Sequence, residues 1–378
     1  MIFSLLRHQN ERAKTYLGSP SLVRLPDGAI VASHDYFGKG CPRNHEAEEG
    51  LTSIYRSEDD GATWENVTHV MNSFWPNLFV HGDALYLFGT SQQYGSIHIR
   101  RSEDGGFTWT HPADGKSGLL FKGGPYREAP NYHCAPMPVV EHKGRLYRAF
   151  EDCDPCDWGT GFKSLVVSAP VGSDLLDAAS WTMSDKLAFD PAWVPAKWNK
   201  PTKPGWLEGN VVVDPQGSLV NILRFNSEPV VDKAALVRIA EGRDGSMKLS
   251  FDPSTGYLDF PGGMTKFSIR KDPGTGMYLT ISNNNTDPES CKQRNTLCLN
   301  VSEDLIHWKR AATLLTDESG LPWEASIKLT GFQYVDWQFD GDDLIYLVRT
   351  AYRGAANYHD SNMITFHRLK KWREKTQS

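Results

Sequence analysis

The chain contains 378 residues, of which 39% are hydrophobic, so it can form one large all-β domain or two domains of ordinary size. Its net charge of −6 and the absence of any block of like charge argue against a nucleic-acid partner and against an acidic membrane surface. The sequence has no apolar run long enough to span a membrane, and the N-terminal "MIFSLL" is too short for a signal peptide. This pattern fits a mature secreted chain or a cytosolic protein, so the localisation is left open.

The first predicted element is a β-hairpin at residues 19–35, where alternating apolar residues flank a Gly-containing turn. Repeats of this size, built from strands, are typical of a β-propeller. The same pattern recurs at residues 75–90, 135–152, 207–225, 262–283 and 334–352.

The six hairpins predict a single all-β propeller domain over residues 1–378. We expect residues 362–369 to form an outer strand and the N-terminal residues 1–6 to close the ring beside it. The aromatic and Pro-rich residues 182–206 form either an insertion or an irregular extra blade.

Two nearly identical turns lie between these hairpins, "RSEDDGATW" at residues 56–64 and "RSEDGGFTW" at residues 101–109. Ser and Asp can hydrogen-bond the turn backbone, Gly supplies a positive φ, and Trp covers the hairpin base. The motif resembles the Asp-box of sialidase-like β-propellers, and residues 173–181 and 302–308 look like degraded copies. Because an Asp-box staples blades together, we expect no catalytic residue in it.

The propeller geometry predicts one mouth, because residues before each first strand and after each second strand converge on the same end. These positions carry His, Tyr, Arg, carboxylate and Trp side chains, which are typical of an acid–base carbohydrate site. We expect Asp35, Glu151 and Asp336 to be structural. The mouth residues are His34, Asp35, Trp75, Tyr94, Tyr132, His133, Glu151, Asp152, Trp206, Glu208, Asn210, Arg224, Asn283, Tyr334, Asp336, Arg349, Tyr352 and His359.

Several phrases carry a family resemblance, among them "YHCAPMPVV", "GWLEGNVVV" and "GFQYVDWQFDGDDLIYLVRTAY". They resemble propeller enzymes that cleave L-rhamnose-α-1,4-D-glucuronate from gum arabic-type glycans, distant relatives of ulvan lyases. The resemblance implies seven blades and an acidic polysaccharide containing rhamnose and glucuronate as partner. It implies no required cofactor. True sialidases use three arginines and an Arg-Ile-Pro motif, whereas only Arg224 and Arg349 fall on this mouth, so a sialidase is disfavoured.

The resemblance implies β-elimination, with His133 and Arg224 matching the catalytic His and Arg of ulvan lyases. Elimination requires a neutralised uronate carboxylate, a base at C5 and an acid at the leaving oxygen. Glu208 stands where a Tyr is expected, so the acid comes from Tyr132, Tyr334 or Tyr352. The residues expected to bind substrate are Trp75, Trp206, Glu208, Asn210, Tyr334, Arg349 and His359.

Alternatives remain open at this stage. In the rhamnosidase-like branch of the same group a single His hydrolyses the linkage, and "ASHD" places His34 in that position. Glu208 and Asp336 are the one carboxylate pair to consider for an ordinary glycosidase. A glycan-binding propeller without catalysis is the third reading. A structural divalent cation near His133, Cys134 and His359 is left open, since no diagnostic ligand spacing occurs.

Overall fold

The computed structural model describes residues 2–43, 50–198 and 201–376. These residues form six antiparallel sheets arranged as the blades of a β-propeller, which confirms the predicted all-β class. One short α-helix, α1 (Trp323–Leu329), lies between the last two blades. None of the described helices is long and apolar enough to cross a membrane.

The strand β1 (Ile2–His8) belongs to the last blade, and the next strands form blades 1 to 3. Blade 1 contains β2 (Tyr16–Leu17), β3 (Ser21–Arg24), β4 (Ile30–Phe37), β5 (Leu51–Ser57) and β6 (Glu65–Met71). Blade 2 contains β7 (Phe74–His81), β8 (Ala84–Thr90), β9 (Ile97–Ser102) and β10 (Leu119–Phe121). Blade 3 contains β11 (Tyr132–His133), β12 (Val140–His142), β13 (Arg145–Cys153), β14 (Phe162–Pro170) and β15 (Thr182–Met183).

Blades 4 to 6 follow in chain order. Blade 4 contains β16 (Trp206–Val213), β17 (Leu219–Phe225), β18 (Lys233–Glu241), β19 (Met247–Ser250) and β20 (Tyr257–Asp259). Blade 5 contains β21 (Ser268–Lys271), β22 (Tyr278–Asn283), β23 (Thr296–Ser302) and β24 (Lys309–Thr316). Blade 6 contains β25 (Gly331–Asp340), β26 (Asp343–Ala351) and β27 (Met363–Leu369), with β1 as its fourth strand. Short 3₁₀ turns lie at Glu11–Ala13, Ala178–Ser180, Pro191–Trp193, Ala196–Trp198 and Trp372–Lys375.

The two ends of the chain meet in blade 6. Strand β1 pairs antiparallel with β27, with Ile2 opposite Arg368 and His8 opposite Met363. This is the pairing that the sequence predicts for the N-terminal strand.

The number of blades is six, so the six predicted hairpins are confirmed and the seventh blade implied by the resemblance is wrong. Residues 182–206 supply the short outer strand β15 and two 3₁₀ turns where an extra sheet was considered. Trp198 is buried there and packs on Phe225 and Tyr257, with ring centroids 5.9 and 4.6 Å apart. The segment therefore covers the blade 3–blade 4 core with aromatic rings, as an insertion would.

The core consists of apolar clusters shared by neighbouring blades. Each of the six joints has its own cluster, including the joint between blade 6 and blade 1. In β8, Leu85 and Leu87 face blade 1, whereas Tyr86 and Phe88 face blade 3. Side chains alternate along a strand, so a strand buried on both faces holds two blades at once.

Buried polar side chains cross every joint near the propeller axis. Each one hydrogen-bonds a backbone group of a neighbouring blade. Asp35, Glu151 and Asp336 are among them and have the structural roles expected. The bonds are Leu22 N to Asp336 Oδ2 (3.0 Å), Trp75 N to Asp35 Oδ2 (2.8 Å), Arg148 Nη1 to Phe88 O (2.5 Å), Gly209 N to Glu151 Oε1 (3.1 Å), Ile269 N to Asn210 Oδ1 (2.9 Å) and Lys266 Nζ to Val335 O (2.6 Å).

The Asp-box turns have the predicted hydrogen bonds. Gly61 N donates to Ser57 Oγ over 2.8 Å, and Thr63 donates to Asp59 through N (2.9 Å) and Oγ1 (2.6 Å). These bonds, that of the Thr63 hydroxyl above all, lower the pKa of Asp59 to about 2. The turn is therefore fixed by its own side chains, as its composition indicates.

Each Asp-box Trp packs on the preceding blade. Trp64 contacts Phe366 of blade 6, and Trp109 packs in the blade 1–blade 2 cluster. The two degraded copies behave in the same way, since Trp181 contacts Phe88 of blade 2 and Trp308 contacts Phe260 of blade 4. All four turns therefore staple blades, as predicted.

Replacing Trp181 by Ala is expected to lower the free energy of unfolding by about 3–5 kcal/mol, because the indole is 5% exposed and leaves a cavity between two blades. Urea titration followed by circular dichroism measures the change. The matched control is Trp323→Ala, since Trp323 is 41% exposed and should cost less than about 0.5 kcal/mol. Equal losses for the two variants would contradict the stapling function of Trp181.

Candidate functional site

A cavity of about 420 Å³, here called the arginine cavity, opens at one end of the propeller. All six blades contribute to it through one loop each. These loops connect β4 to β5, β8 to β9, β13 to β14, β17 to β18, β22 to β23 and β26 to β27. The residues from these loops are Gly38, Gln93, Trp158, Asn226, Lys292, Arg294, Tyr358 and His359. The remaining lining residues come from strands of the sheets or lie just before one: Phe37, Phe74, Trp75, Arg224, Met264, Tyr334 and Arg349.

Three arginines surround the ring of Tyr334. Arg224 Nη1 donates to Tyr334 Oη over 3.2 Å. The guanidinium carbon of Arg349 lies 4.7 Å from the centroid of the tyrosine ring, and that of Arg294 lies 5.8 Å from it. Three positive charges therefore converge on one phenol, where they stabilise negative charge that develops on its oxygen.

The arginine cluster is buried. Burial and the charge of Arg294 lower the pKa of Arg349 to about 10 against the attraction of Tyr334. Burial likewise lowers the pKa of Arg294, and the charge of Arg224 adds to the effect. Among the described residues no Asp or Glu lines the cavity, and Lys292 adds a fourth cation. The cavity is thus suited to an anionic ligand.

Glu208 lies behind Arg224 and is itself buried. Its Oε2 accepts a hydrogen bond of 3.0 Å from Arg224 Nη1, the same nitrogen that contacts Tyr334. Burial opposes the charge on Arg224, but the charges of Glu208 and Tyr334 raise its pKa above the usual value. Arg224 is therefore a permanent cation shared by a carboxylate and a phenol.

Three site residues occupy equivalent bulges in the first strands of blades 2, 4 and 6. Trp75, Glu208 and Tyr334 have φ values of 45°, 57° and 53°, and the strand register shifts at each of them. A positive φ is unusual for residues with side chains, and bulges re-aim a side chain next to an active site. In every second blade, the shared distortion therefore orients the first strand toward the cavity.

An apolar wall faces the arginines. Trp75 lies 6.0 Å from Tyr334 between ring centroids and stacks on Phe74 at 4.7 Å. Trp158 lies opposite, with Arg224 at 5.8 Å from its ring. The cavity therefore combines aromatic faces on one side with guanidinium groups on the other.

His359 stands at the rim, with its side chain half exposed. Its Nδ1 is 3.0 Å from Asp360 Oδ1, and its ring packs edge-on against Phe37 at 5.3 Å. Burial and the charges of Arg349 and Arg294 lower the pKa of His359 to about 4, although Asp360 opposes them. His359 is therefore neutral at pH 7 as long as no anionic ligand occupies the cavity.

The structure brings together part of the set predicted from the sequence. Trp75, Arg224, Tyr334, Arg349 and His359 line the arginine cavity, and Glu208 contacts Arg224.

The two predicted catalytic histidines lie outside the lining. His34 is fully buried between Tyr36 and Tyr55, and burial lowers its pKa to about 4. His133 is also fully buried, 3.2 Å from Glu151 and with its ring 5.0 Å from Trp75. Neither histidine lines the arginine cavity.

The other predicted residues have packing or bridging contacts. Tyr132 lies under Lys186, with the ammonium 4.9 Å from its ring, and Trp206 is buried in the blade 3–blade 4 cluster. Asn210 bridges blades 4 and 5, and Tyr352 packs on Phe332 at 6.2 Å. These four residues do not line the arginine cavity.

Arg294 is the main residue that the sequence prediction missed. It belongs to the loop between β22 and β23, and the prediction named few residues from these loops, His359 among them. Trp158, Lys292 and Tyr358 were missed for the same reason. Since the second strand of each blade ends at the mouth, the loop that follows it must cross the mouth. That rule would have found all four.

The described residues contain no group of three or more His, Cys, Asp or Glu side chains placed to hold a metal ion. Among the described residues no two cysteines form a disulfide, Cys153 and Cys156 included.

No protein-family model matches this chain, and no curated protein matches it in sequence. Solved structures share its fold. An α-L-arabinanase from Penicillium chrysogenum, complexed with arabinobiose, aligns with a TM-score of 0.56 and 14% identity over 99% of both chains. The α-L-arabinofuranosidase Arb93A of Fusarium graminearum aligns at 0.56 and 14% over 97% of this chain and 96% of its own. The Trypanosoma rangeli sialidase in complex with sialic acid aligns at 0.58 and 14% over 96% of this chain and 55% of its own.

A sugar carboxylate is expected to bind the arginine cavity. Glucuronate or sialic acid should raise the melting temperature, whereas glucose should not, because only the acids can pair with the guanidiniums. Arg294→Met should weaken acid binding at least tenfold in calorimetric titrations. Arg243→Met is the control, since Arg243 is exposed in the turn between β18 and β19 and does not line the cavity. Undiminished binding by Arg294→Met would contradict the assignment.

Proposed function

We propose that the protein is a glycan-processing enzyme that hydrolyses the glycosidic bond of a terminal sugar carrying a carboxylate. The observation that carries this proposal is the convergence of Arg224, Arg294 and Arg349 on Tyr334. Arabinobiose and sialic acid are ligands of two similar structures, which supports a sugar as the ligand here.

Tyr334 is the proposed nucleophile. Its Oη attacks the anomeric carbon, and the proposed acceptor of the phenolic proton is Glu208, which shares the hydrogen-bond donor Arg224 Nη1 with Tyr334. A neutral attacking group suits an acidic sugar, because a carboxylate nucleophile would be repelled by the charge of the substrate. Tyrosine nucleophiles occur in sialidases, which depart from the usual pair of carboxylates.

His359 is the proposed acid. It lies at the rim, where the leaving oxygen of a sugar seated on the arginines would emerge. Its pKa is low because of burial and of Arg349 and Arg294. The carboxylate of a bound substrate offsets these charges and raises the pKa, so binding itself prepares the proton donor. Water then attacks the anomeric carbon and gives its proton to His359, while the bond to Tyr334 Oη breaks and Glu208 returns the phenolic proton to that oxygen.

Elimination at a rhamnosyl-α-1,4-glucuronate terminus is the second candidate. The arginine cluster favours it, since neutralising the uronate carboxylate acidifies the proton at C5. Tyr334 would then act as the base, because His133 lies buried behind Trp75. Hydrolysis through His34 has no support from the lining of the cavity.

The test is incubation with sialyl-lactose, aryl glucuronides and the disaccharide Rha-α-1,4-GlcA, followed by chromatography and absorbance. Release of the acidic sugar without a new chromophore is the expected result, and proton NMR should show retention of the anomeric configuration. Free rhamnose together with the ultraviolet band of an unsaturated uronate would show that the reaction is elimination and not hydrolysis. Binding without any product would indicate that the protein binds glycans and does not cleave them.

Tyr334→Phe should lower kcat by about 10³-fold or more, because it removes the attacking oxygen but keeps the ring. Affinity for the acidic sugar should change little, since the arginines remain. Tyr352→Phe is the matched control and should keep wild-type kcat, because Tyr352 does not line the cavity. A Tyr334→Phe enzyme with more than a tenth of wild-type kcat would overturn the nucleophile assignment.

The acid function of His359 predicts an acidic pH profile. In the free enzyme the protonated fraction falls tenfold for each pH unit above about 4, so kcat/KM should fall with rising pH. The decline of kcat should begin at higher pH, because it reports the complex with bound carboxylate. His359→Gln should reduce kcat by about 10²–10⁴-fold, and the remaining activity should no longer fall with rising pH. An unchanged profile in the variant would exclude His359 as the acid.

A further inference from the structure

A second cavity, of about 560 Å³, adjoins the arginine cavity. The two cavities share Phe37, Gly38 and His359. The second cavity adds Lys14, Tyr16, Lys39 and Asp360. His359 therefore stands at the junction between two neighbouring spaces, each large enough for a sugar ring.

The wall of the second cavity is built by two loops in direct contact. Gly40 N donates to Lys14 O over 2.9 Å, which joins the loop after β4 to the turn before β2. Gly38 has a φ of 109°, and a Cβ there would lie 2.6 Å from both Lys14 O and the Tyr16 ring. A side chain at position 38 would therefore displace Tyr16, so the close approach of the loops requires glycine.

The second cavity offers a ring and two cations. Tyr16 packs on Phe37 with centroids 5.5 Å apart. Lys14 is about half exposed and pairs only at 3.5 Å with Glu11 on the surface. Asp360 is the acidic residue of the lining and is engaged by His359 and by Asn357 Nδ2 at 3.0 Å. The positive charge of the cavity thus comes from Lys14 and Lys39, whose ammonium groups can move to pair with a ligand.

We propose that the second cavity binds the leaving-group sugar and that this sugar also carries a negative charge. The inference rests on the proposed function, because it takes the arginine cavity as the place of the terminal acidic sugar. The scissile oxygen then lies at the boundary of the two cavities, beside His359. The substrate class becomes an oligosaccharide with consecutive acidic residues, which excludes an acidic sugar attached to a neutral chain as the preferred substrate.

The test measures binding separately from catalysis. Tetragalacturonate and α-2,8-disialic acid are titrated calorimetrically into the Tyr334→Phe protein, in parallel with galacturonate and sialic acid. For at least one pair the longer ligand should bind at least tenfold more tightly at low salt, and the advantage should shrink in high salt. Lys14→Met/Lys39→Met should remove the advantage of chain length. Lys248→Met is the matched control, since Lys248 is exposed on β19 of blade 4.

Equal affinities of short and long ligands in both pairs would overturn the proposal, as would a chain-length advantage that survives in the double lysine variant. Failure of the proposed function looks different. In that case the wild-type protein releases no product from acidic glycans, while the chain-length effect and its loss in the lysine variant persist.

Discussion

The structure depends on how the first strand of each blade satisfies its inner edge. That edge faces the propeller axis and has no neighbouring strand to pair with, and unpaired backbone groups are costly when buried. Here polar side chains supply the missing partners across five of the six joints, for example Asp336 to Leu22 N and Lys266 to Val335 O. Closure of the ring is therefore specified by buried hydrogen bonds as well as by shared apolar clusters.

The same joints hold the distorted residues of the site. Trp75 N is bound by Asp35, and Gly209, next to Glu208, is bound by Glu151. Tyr334 directly precedes Val335, whose carbonyl accepts from Lys266. A positive φ in a residue with a side chain costs about 1–3 kcal/mol and persists only when its surroundings fix it. The bridging carboxylates and the lysine are thus the physical support of the site.

The sequence was sufficient for the hairpins, the Asp-boxes and the N-terminal outer strand, because each depends on local alternation or turn chemistry. It placed Arg224, Tyr334 and Arg349 at the mouth from strand ends alone. It could not separate these residues from His34 and His133, because the packing around each strand end decides whether a side chain faces the cavity or the protein interior. The blade number implied by the resemblance was wrong, since similarity of short sequence phrases does not determine the number of sheets.

The arginine cluster also explains why the central side chain is a phenol. Glu208 shows what the cluster does to a carboxylate, since it is fixed by Arg224 at 3.0 Å and buried. A carboxylate at position 334 would be paired in the same way, and the guanidiniums would stabilise its negative charge and so lower its nucleophilicity. A phenol accepts only one such bond and stays uncharged until its proton leaves. The site can then keep its positive charges for the anionic substrate and still retain a group able to attack it.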